Sequence, residues 1–225
     1  MKKFYCLVLS ALVAFASCKK NELNHTYGED NGCISRIKYD YSDSNKVELA
    51  TAVKLLQQNN ISLNGLVIYQ VILNDSISIN GPLRVYQHVA AYEESKGLLI
   101  FNSAIGYHFK NGVFETSIGQ RYGTLSLDTS AKATLLQIRK VFIDAFNKDG
   151  FTINNRVNAS SCLRAEFGYF NLNQDIPDHP SFVKVWKVTF TGYEYPVAYI
   201  RDDNRKLLSY FNGLLTLNKT NASNK

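Results

Sequence analysis

Four histidines, His25, His88, His108 and His179, are the first residues to weigh for proton transfer or metal ligation. They are scattered, and no HExxH arrangement places a zinc ion and its general base on one helix face. His88 and His108 stand among aromatic and aliphatic residues in strand-like segments, a setting that suits a hydrogen-bonded structural imidazole better than a ligand. Asp175, Asp178 and His179 surround Pro177 and Pro180. They carry donors a metal could use, but Asp and Pro at this density are what a loop needs for its turns. Asp202 and Asp203 have the look of paired carboxylates, yet they lie between two apolar runs and read as turn formers, and Asp43 and Asp128 lie near helix starts. No nucleophile elbow, phosphate loop or dinucleotide-binding glycine pattern occurs. The sequence thus predicts no catalytic residue, no metal site, no cofactor and no enzymatic activity. Tyr86, Tyr92, Tyr107, Tyr193, Tyr195 and Tyr199 could form an aromatic binding face, since Tyr favours interfaces. Tyr is also common in strands, so a core or sheet-surface role is the first expectation.

The N-terminus carries a different chemistry. Met1, Lys2 and Lys3 make a short positive start, Phe4 to Phe15 an apolar run broken by Ser10, and Ala16, Ser17 and Cys18 a small-residue exit before Lys19 and Lys20. This is the layout of a secretory signal, and it is too short for a bilayer core that needs about 20 apolar residues. Phe15-Ala16-Ser17-Cys18 resembles a bacterial lipobox, with Phe where that motif usually has Leu. The resemblance implies cleavage before Cys18 and acylation of its sulfur and new amine. One chain holds a protein marginally at about 0.8 kcal/mol per buried methylene, and several hold it stably. Lys19 stands where Asp would signal inner-membrane retention, so the resemblance points to the outer membrane over the inner. The expected address is the cell envelope. Residues 18–31 are polar and read as a flexible tether.

Removing the signal leaves about two hundred residues, one large or two small domains. Formal charge is +6, and loss of Lys2 and Lys3 leaves +4. No dense basic block occurs, which argues against nucleic acid as a partner. Of the four cysteines, Cys6 leaves with the signal and Cys18 takes lipid, leaving Cys33 and Cys162. In an exported protein they are either bonded, closing a long loop worth about 4–5 kcal/mol in the chain-entropy model, or reduced and buried as small hydrophobes. Neither has the CxxC partner a zinc site would use.

The elements that must position these residues follow from periodicity. Cys33 to Tyr41 reads as an extended start. Asn45 caps a first helix, with Glu48 in capping-box spacing and Leu49, Ala52, Val53 and Leu56 on one face. Leu66 to Leu73 is an apolar run interrupted only by Gln70 and reads as a buried strand. Leu83 to Tyr92 alternates, Leu98 to Phe101 returns, and Ile105 to Lys110 pairs with Val113 to Ile118 through Asn111-Gly112. After a polar stretch, Asp128, Thr129 or Ser130 caps a second helix with Leu135, Ile138, Phe142, Ala145 and Phe146 as its stripe, ended by Asp149-Gly150. Four strands follow, with Leu163, Ala165, Phe167 and Tyr169, then Trp186, Val188 and Phe190, facing inward. The fold class expected is α+β: two modules, each a helix packed on an antiparallel sheet.

That order of parts resembles a known pair. Leu83-Arg84-Val85-Tyr86-Gln87-His88-Val89, Gly97-Leu98-Leu99-Ile100-Phe101 and Gly106-Tyr107-His108-Phe109-Lys110-Asn111-Gly112 resemble the fungalysin/thermolysin propeptide (FTP) motif. Trp186-Lys187-Val188, Pro196-Val197-Ala198-Tyr199-Ile200-Arg201-Asp202 and Lys206-Leu207-Leu208-Ser209-Tyr210-Phe211-Asn212-Gly213 resemble a PepSY domain, with Asn204-Arg205 where that family has Thr-Gly. The division implied is signal 1–17, tether 18–31, FTP-like module 32–125, PepSY-like module 126–217 and polar tail 218–225. In thermolysin-like zymogens such modules assist and inhibit the protease. No protease sequence accompanies them here, so the resemblance implies a lipid-anchored interaction module that binds or restrains an exported peptidase in trans. The alternative is a surface lipoprotein that binds peptide or glycan through tyrosines.

Overall fold

The computed structural model describes residues 25–38, 46–78, 81–150, 157–176 and 178–214. Cys18, Asn45 and Pro177 lie outside them, as do the expected signal and tail. Two-residue turns organise the centre of the chain. Lys96-Gly97 joins β4 (Arg84–Ser95) to β5 (Leu98–Lys110), and Asn111-Gly112 joins β5 to β6 (Val113–Ile118). All four turn residues have positive φ, from 50° to 80°, the backbone that lets a tight turn follow the strand twist.

The remaining strands are β1 (His25–Tyr27), β2 (Cys33–Ile37), β3 (Leu66–Ile77), β7 (Leu163–Asn171), β8 (Phe182–Phe190), β9 (Val197–Arg201) and β10 (Leu207–Phe211). All ten belong to one mixed, mostly antiparallel sheet in the order β10-β9-β8-β7-β5-β4-β3, with β2 on β7 carrying β1, and β6 on β5. The fold is α+β, with a single sheet where two were expected. The reason is edge sharing. One edge of β7 pairs in parallel with β2 over Leu163 to Glu166, then meets β5 at Tyr169 opposite Ile100.

β5 makes the join possible by running as one strand where two were expected. Four residues, Phe101 to Ala104, face only Tyr92 between the Ile100–Glu93 and Ile105–Ala91 pairs. Ser103 sustains this bulge: its Oγ donates to the Ile100 carbonyl (2.9 Å) and accepts from the Glu93 amide (3.1 Å). Gly168 then lets β5 approach, because a Cβ there would lie 2.6 Å from the Leu99 carbonyl oxygen and 2.7 Å from the Phe101 ring. Gly168→Ala is expected to cost about 1–3 kcal/mol, the range for overpacking, and to lower the thermal midpoint. An unchanged midpoint would show that this contact yields freely.

Helix α1 (Lys46–Gln58) buries Ala52, Leu55 and Leu56 against Val89, Ala91, Ile105, Tyr107 and Phe109. Helix α2 (Leu135–Asp149) buries Ile138, Phe142, Ile143 and Phe146 against Leu163, Ala165, Phe167, Trp186, Val188, Phe190, Ala198 and Ile200. The α2 cap is Thr134, beyond the Asp128–Ser130 expected. Thr134 Oγ1 accepts from the Gln137 amide, and the Gln137 side chain accepts from the Thr134 amide. Gly150 ends the helix with φ 64°.

Two further expectations change. β3 is an edge strand rather than a buried one, with Ile72 and Ile77 exposed. Its apolar run, interrupted only by Gln70, follows a bulge at Tyr69: Leu66 and Ile68 face α1 before it, Val71 after it, while Val67 joins the opposite face. The sheet also starts earlier than the 18–31 tether allowed, because His25–Tyr27 pairs with Cys33 to Ser35.

Candidate functional site

Strand alternation sends every second residue of β7, β8 and β9 away from α2. On that uncovered face Leu99, Phe101 and Val185 cluster with Val67, Tyr92, Phe170, Val183, Tyr199 and Leu208. Because Val67 and Tyr92 come from β3 and β4, this end of the sheet curls over its own face, consistent with strand twist. Beside the cluster is a groove of about 360 Å³, within the usual range for ligand pockets. Tyr69, Tyr92, Tyr195 and Tyr199 contribute aromatic wall, and Arg164, Glu166, Lys187 and Glu194 contribute charge. Tyr69 and Tyr92 stack with centroids 4.3 Å apart.

Three of the four charged residues lie on paired strands, and Glu194 lies in the exposed turn between β8 and β9. Arg164 opposes Thr189, and Glu166 opposes Lys187, across the β7–β8 pair. Arg164 Nε donates to Thr189 Oγ1 (2.8 Å) and Nη2 to the Tyr193 carbonyl (3.1 Å), which fixes the guanidinium. Lys187 opposes Tyr199 on its other side, and its ammonium lies 5.9 Å from the Phe101 ring centroid. Burial holds the Lys187 ammonium below the usual lysine value of 10.5 and pushes the Tyr199 phenol up to about 12.

These shifts predict opposing alkaline behaviour. The unfolded chain holds the Lys187 proton more tightly, so this lysine destabilises the fold at neutral pH, a penalty relieved as pH rises towards 10.5. Tyr199 contributes stability below its unfolded value of 10.0 that is lost as pH rises through about 12. Lys187→Met is therefore expected to raise the thermal midpoint at pH 7, with the gain shrinking towards pH 10. A midpoint that falls at pH 7 would contradict the buried-charge penalty.

Of the tyrosines weighed from sequence, Tyr92, Tyr195 and Tyr199 meet in the groove, joined by Tyr69, which sequence reasoning missed. Tyr107 is buried beneath α1, where burial raises its pKa, Tyr193 packs on the α2 cluster, and Tyr86 stands on β4 outside the groove. Arg164, Glu166, Lys187 and Glu194 were also missed, since charges on an alternating strand or in a turn read as solvated surface. Their signal was the Tyr199 and Val197 phase on β9, which puts apolar residues on both faces.

The other candidates do not converge. His88 Nδ1 and His108 Nδ1 lie 2.7 Å apart as cross-strand partners, with Asp75 3.8 Å from His88 Nε2. His25 Nδ1 bonds Ser35 Oγ at 3.0 Å. Asp175, Asp178 and His179 sit in an exposed turn. Among the described residues no three or more His, Cys, Asp or Glu gather as a metal site, and no helix is long and apolar enough to cross a membrane.

Cys33 and Cys162 are bonded, with Cα atoms 4.5 Å apart. Beside them Arg139 of α2, 2% exposed, pairs with Asp30 (Nη2 to Oδ2, 2.8 Å) and donates to the carbonyls of Cys33, Ala159 and Ser161. Its bond holds the Asp30 carboxyl below the usual range. A Cβ at Gly32 would overlap this guanidinium. Two buried carboxylates organise the loop between β6 and α2. Glu93 accepts from the amides of Tyr122 and Gly123 at 2.7 Å. Asp202, expected only to form a turn, accepts from the Lys132 and Ala133 amides and from Trp186 Nε1 at 2.9–3.0 Å. Asp203 does form the turn, paired with Arg201. Compared with known proteins, the chain matches no family model and no curated protein.

Proposed function

We propose that this chain is an exported, lipid-anchored binding module of the cell envelope, not an enzyme, that holds a polypeptide segment of a partner in the groove of the uncovered sheet face. The observation that carries the reading is that groove: tyrosine walls around four charged residues, on the face opposite the helices. Aromatic walls with a few fixed polar groups are the usual make-up of a recognition site. In this reading the chain is two fused modules, FTP-like over 32–125 and PepSY-like over 126–217, whose sheets have merged through β5 and β7. The resemblance makes an exported peptidase, bound or restrained in trans, the leading partner.

The Cys33–Cys162 bond suits an oxidising compartment, and the lipobox-like Cys18 suits attachment to the outer membrane. Palmitate labelling of the expressed chain, lost in Cys18→Ser, tests the anchor. Binding of the disulfide-bonded protein to labelled peptides, together with inhibition assays on exported metallopeptidases from the same cells, tests the function. An absence of both peptide binding and inhibition refutes it. The stacked Tyr69–Tyr92 pair favours a second reading, a glycan whose sugar faces lie on the rings. Glycan binding without peptide binding would select it.

A further inference from the structure

Resting on the groove as the polypeptide site, we propose that the bound segment presents a single carboxylate to Lys187 and Arg164. Lys187 opens into the groove between Glu166 and Tyr199 on the neighbouring strands. Among the described residues its ammonium has a ring neighbour but no hydrogen-bond acceptor. An ammonium has three donors and no acceptor capacity, and leaving it largely desolvated costs stability that the fold retains. A ligand carboxylate would meet those donors in a charge-assisted bond.

Arg164 adds to this. Its Nε and Nη2 are engaged by Thr189 and Tyr193, so the guanidinium is held before any ligand arrives. Prior fixing lowers the ordering cost of binding. The number of charges on the ligand follows from the other two residues. Glu166, 7% exposed, lies beside Lys187, and exposed Glu194 stands between β8 and β9. Among the described residues two cations and two carboxylates line the groove, so it offers a place for one negative group and no surplus of cations for an extended polyanion. That pattern suits an otherwise uncharged, aromatic or aliphatic peptide lying on Tyr69, Tyr92 and Tyr199. The carboxylate can come from a chain terminus or from an Asp or Glu side chain.

The test uses the disulfide-bonded protein and three fluorescent heptapeptide pools of random sequence. One has a free C-terminal carboxylate and no Asp or Glu, one a C-terminal amide and a single Asp or Glu, and one an amide and no acidic group. At least one acidic pool is expected to bind about tenfold or more tightly than the neutral pool, a charged hydrogen bond's worth, and the tighter acidic pool identifies the source. Lys187→Met should abolish that preference, and Lys187→Arg should keep most of it, with thermal melts showing that both variants fold. Neutral peptides binding as tightly as acidic ones, or an undiminished preference in folded Lys187→Met, overturns the inference and leaves the groove a peptide site. No binding by any pool overturns the inference together with the peptide reading.

Discussion

Replacing Cys33 and Cys162 together with serine is expected to remove about 5 kcal/mol of stability, the chain-entropy value for a loop this long. The bonded residues are 129 apart in sequence, so the bond constrains most of the described chain when it unfolds. Its effect extends into the native state as well. The bond holds β2 beside the start of β7, where Ile34, 0% exposed, enters the core under α2. Arg139 anchors the same junction through Asp30, Cys33, Ala159 and Ser161. Losses at the disulfide and at Arg139 should therefore be non-additive, as for residues sharing one network. Urea titration of the oxidised protein and the double variant measures the effect. A difference under about 1 kcal/mol would mean that the chain-entropy model fails here, through residual structure in the unfolded state.

Asp202→Ala is expected to cost about 3–5 kcal/mol, since it strands three donors that now share one buried carboxylate, each worth about 1–3 kcal/mol when left unmet. Asp202 is 1% exposed and Trp186 2%. The carboxylate ties the turn after β9 to β8 through the indole, and to the residues preceding α2 through the Lys132 and Ala133 amides. Asp202→Asn should lose less, because the remaining carbonyl oxygen still accepts while the new NH₂ faces donors. Chemical denaturation with tryptophan fluorescence reads both stability and the indole environment, Trp186 being the chain's one tryptophan. Equal losses for Ala and Asn would point to the charge, rather than the acceptor geometry, as what holds the loop.

Both effects concern residues whose importance was unevenly legible. The cysteines were legible as a pair by subtraction, once Cys6 and Cys18 were assigned to export. Asp202 was legible as a turn residue only. Its partners Lys132 and Trp186 lie 70 and 16 residues away, and no local pattern signals a carboxylate folded inward. Arg139 is similar: on a helical wheel it lies beside Phe142 and reads as the edge of a solvated face, yet it is buried because a segment more than 100 residues earlier supplies Asp30. Ser103 and Gly168 were silent because bulges and close approaches show in neighbours, not in composition.

Local chemistry determined what neighbours in sequence can decide: two amphipathic helices, alternating strands, the Asn111-Gly112 turn and the α2 stop at Gly150. Periodicity encodes burial of a face, and turn residues encode backbone angles, so both are readable without the fold. Only the tertiary structure decided that the strands form one sheet, that β3 lies at its edge, and that tyrosines from β3, β4 and β9 meet the charges of β7 and β8. Those outcomes depend on which strand edges pair and how far the sheet twists, and both are set by contacts between residues distant in the chain.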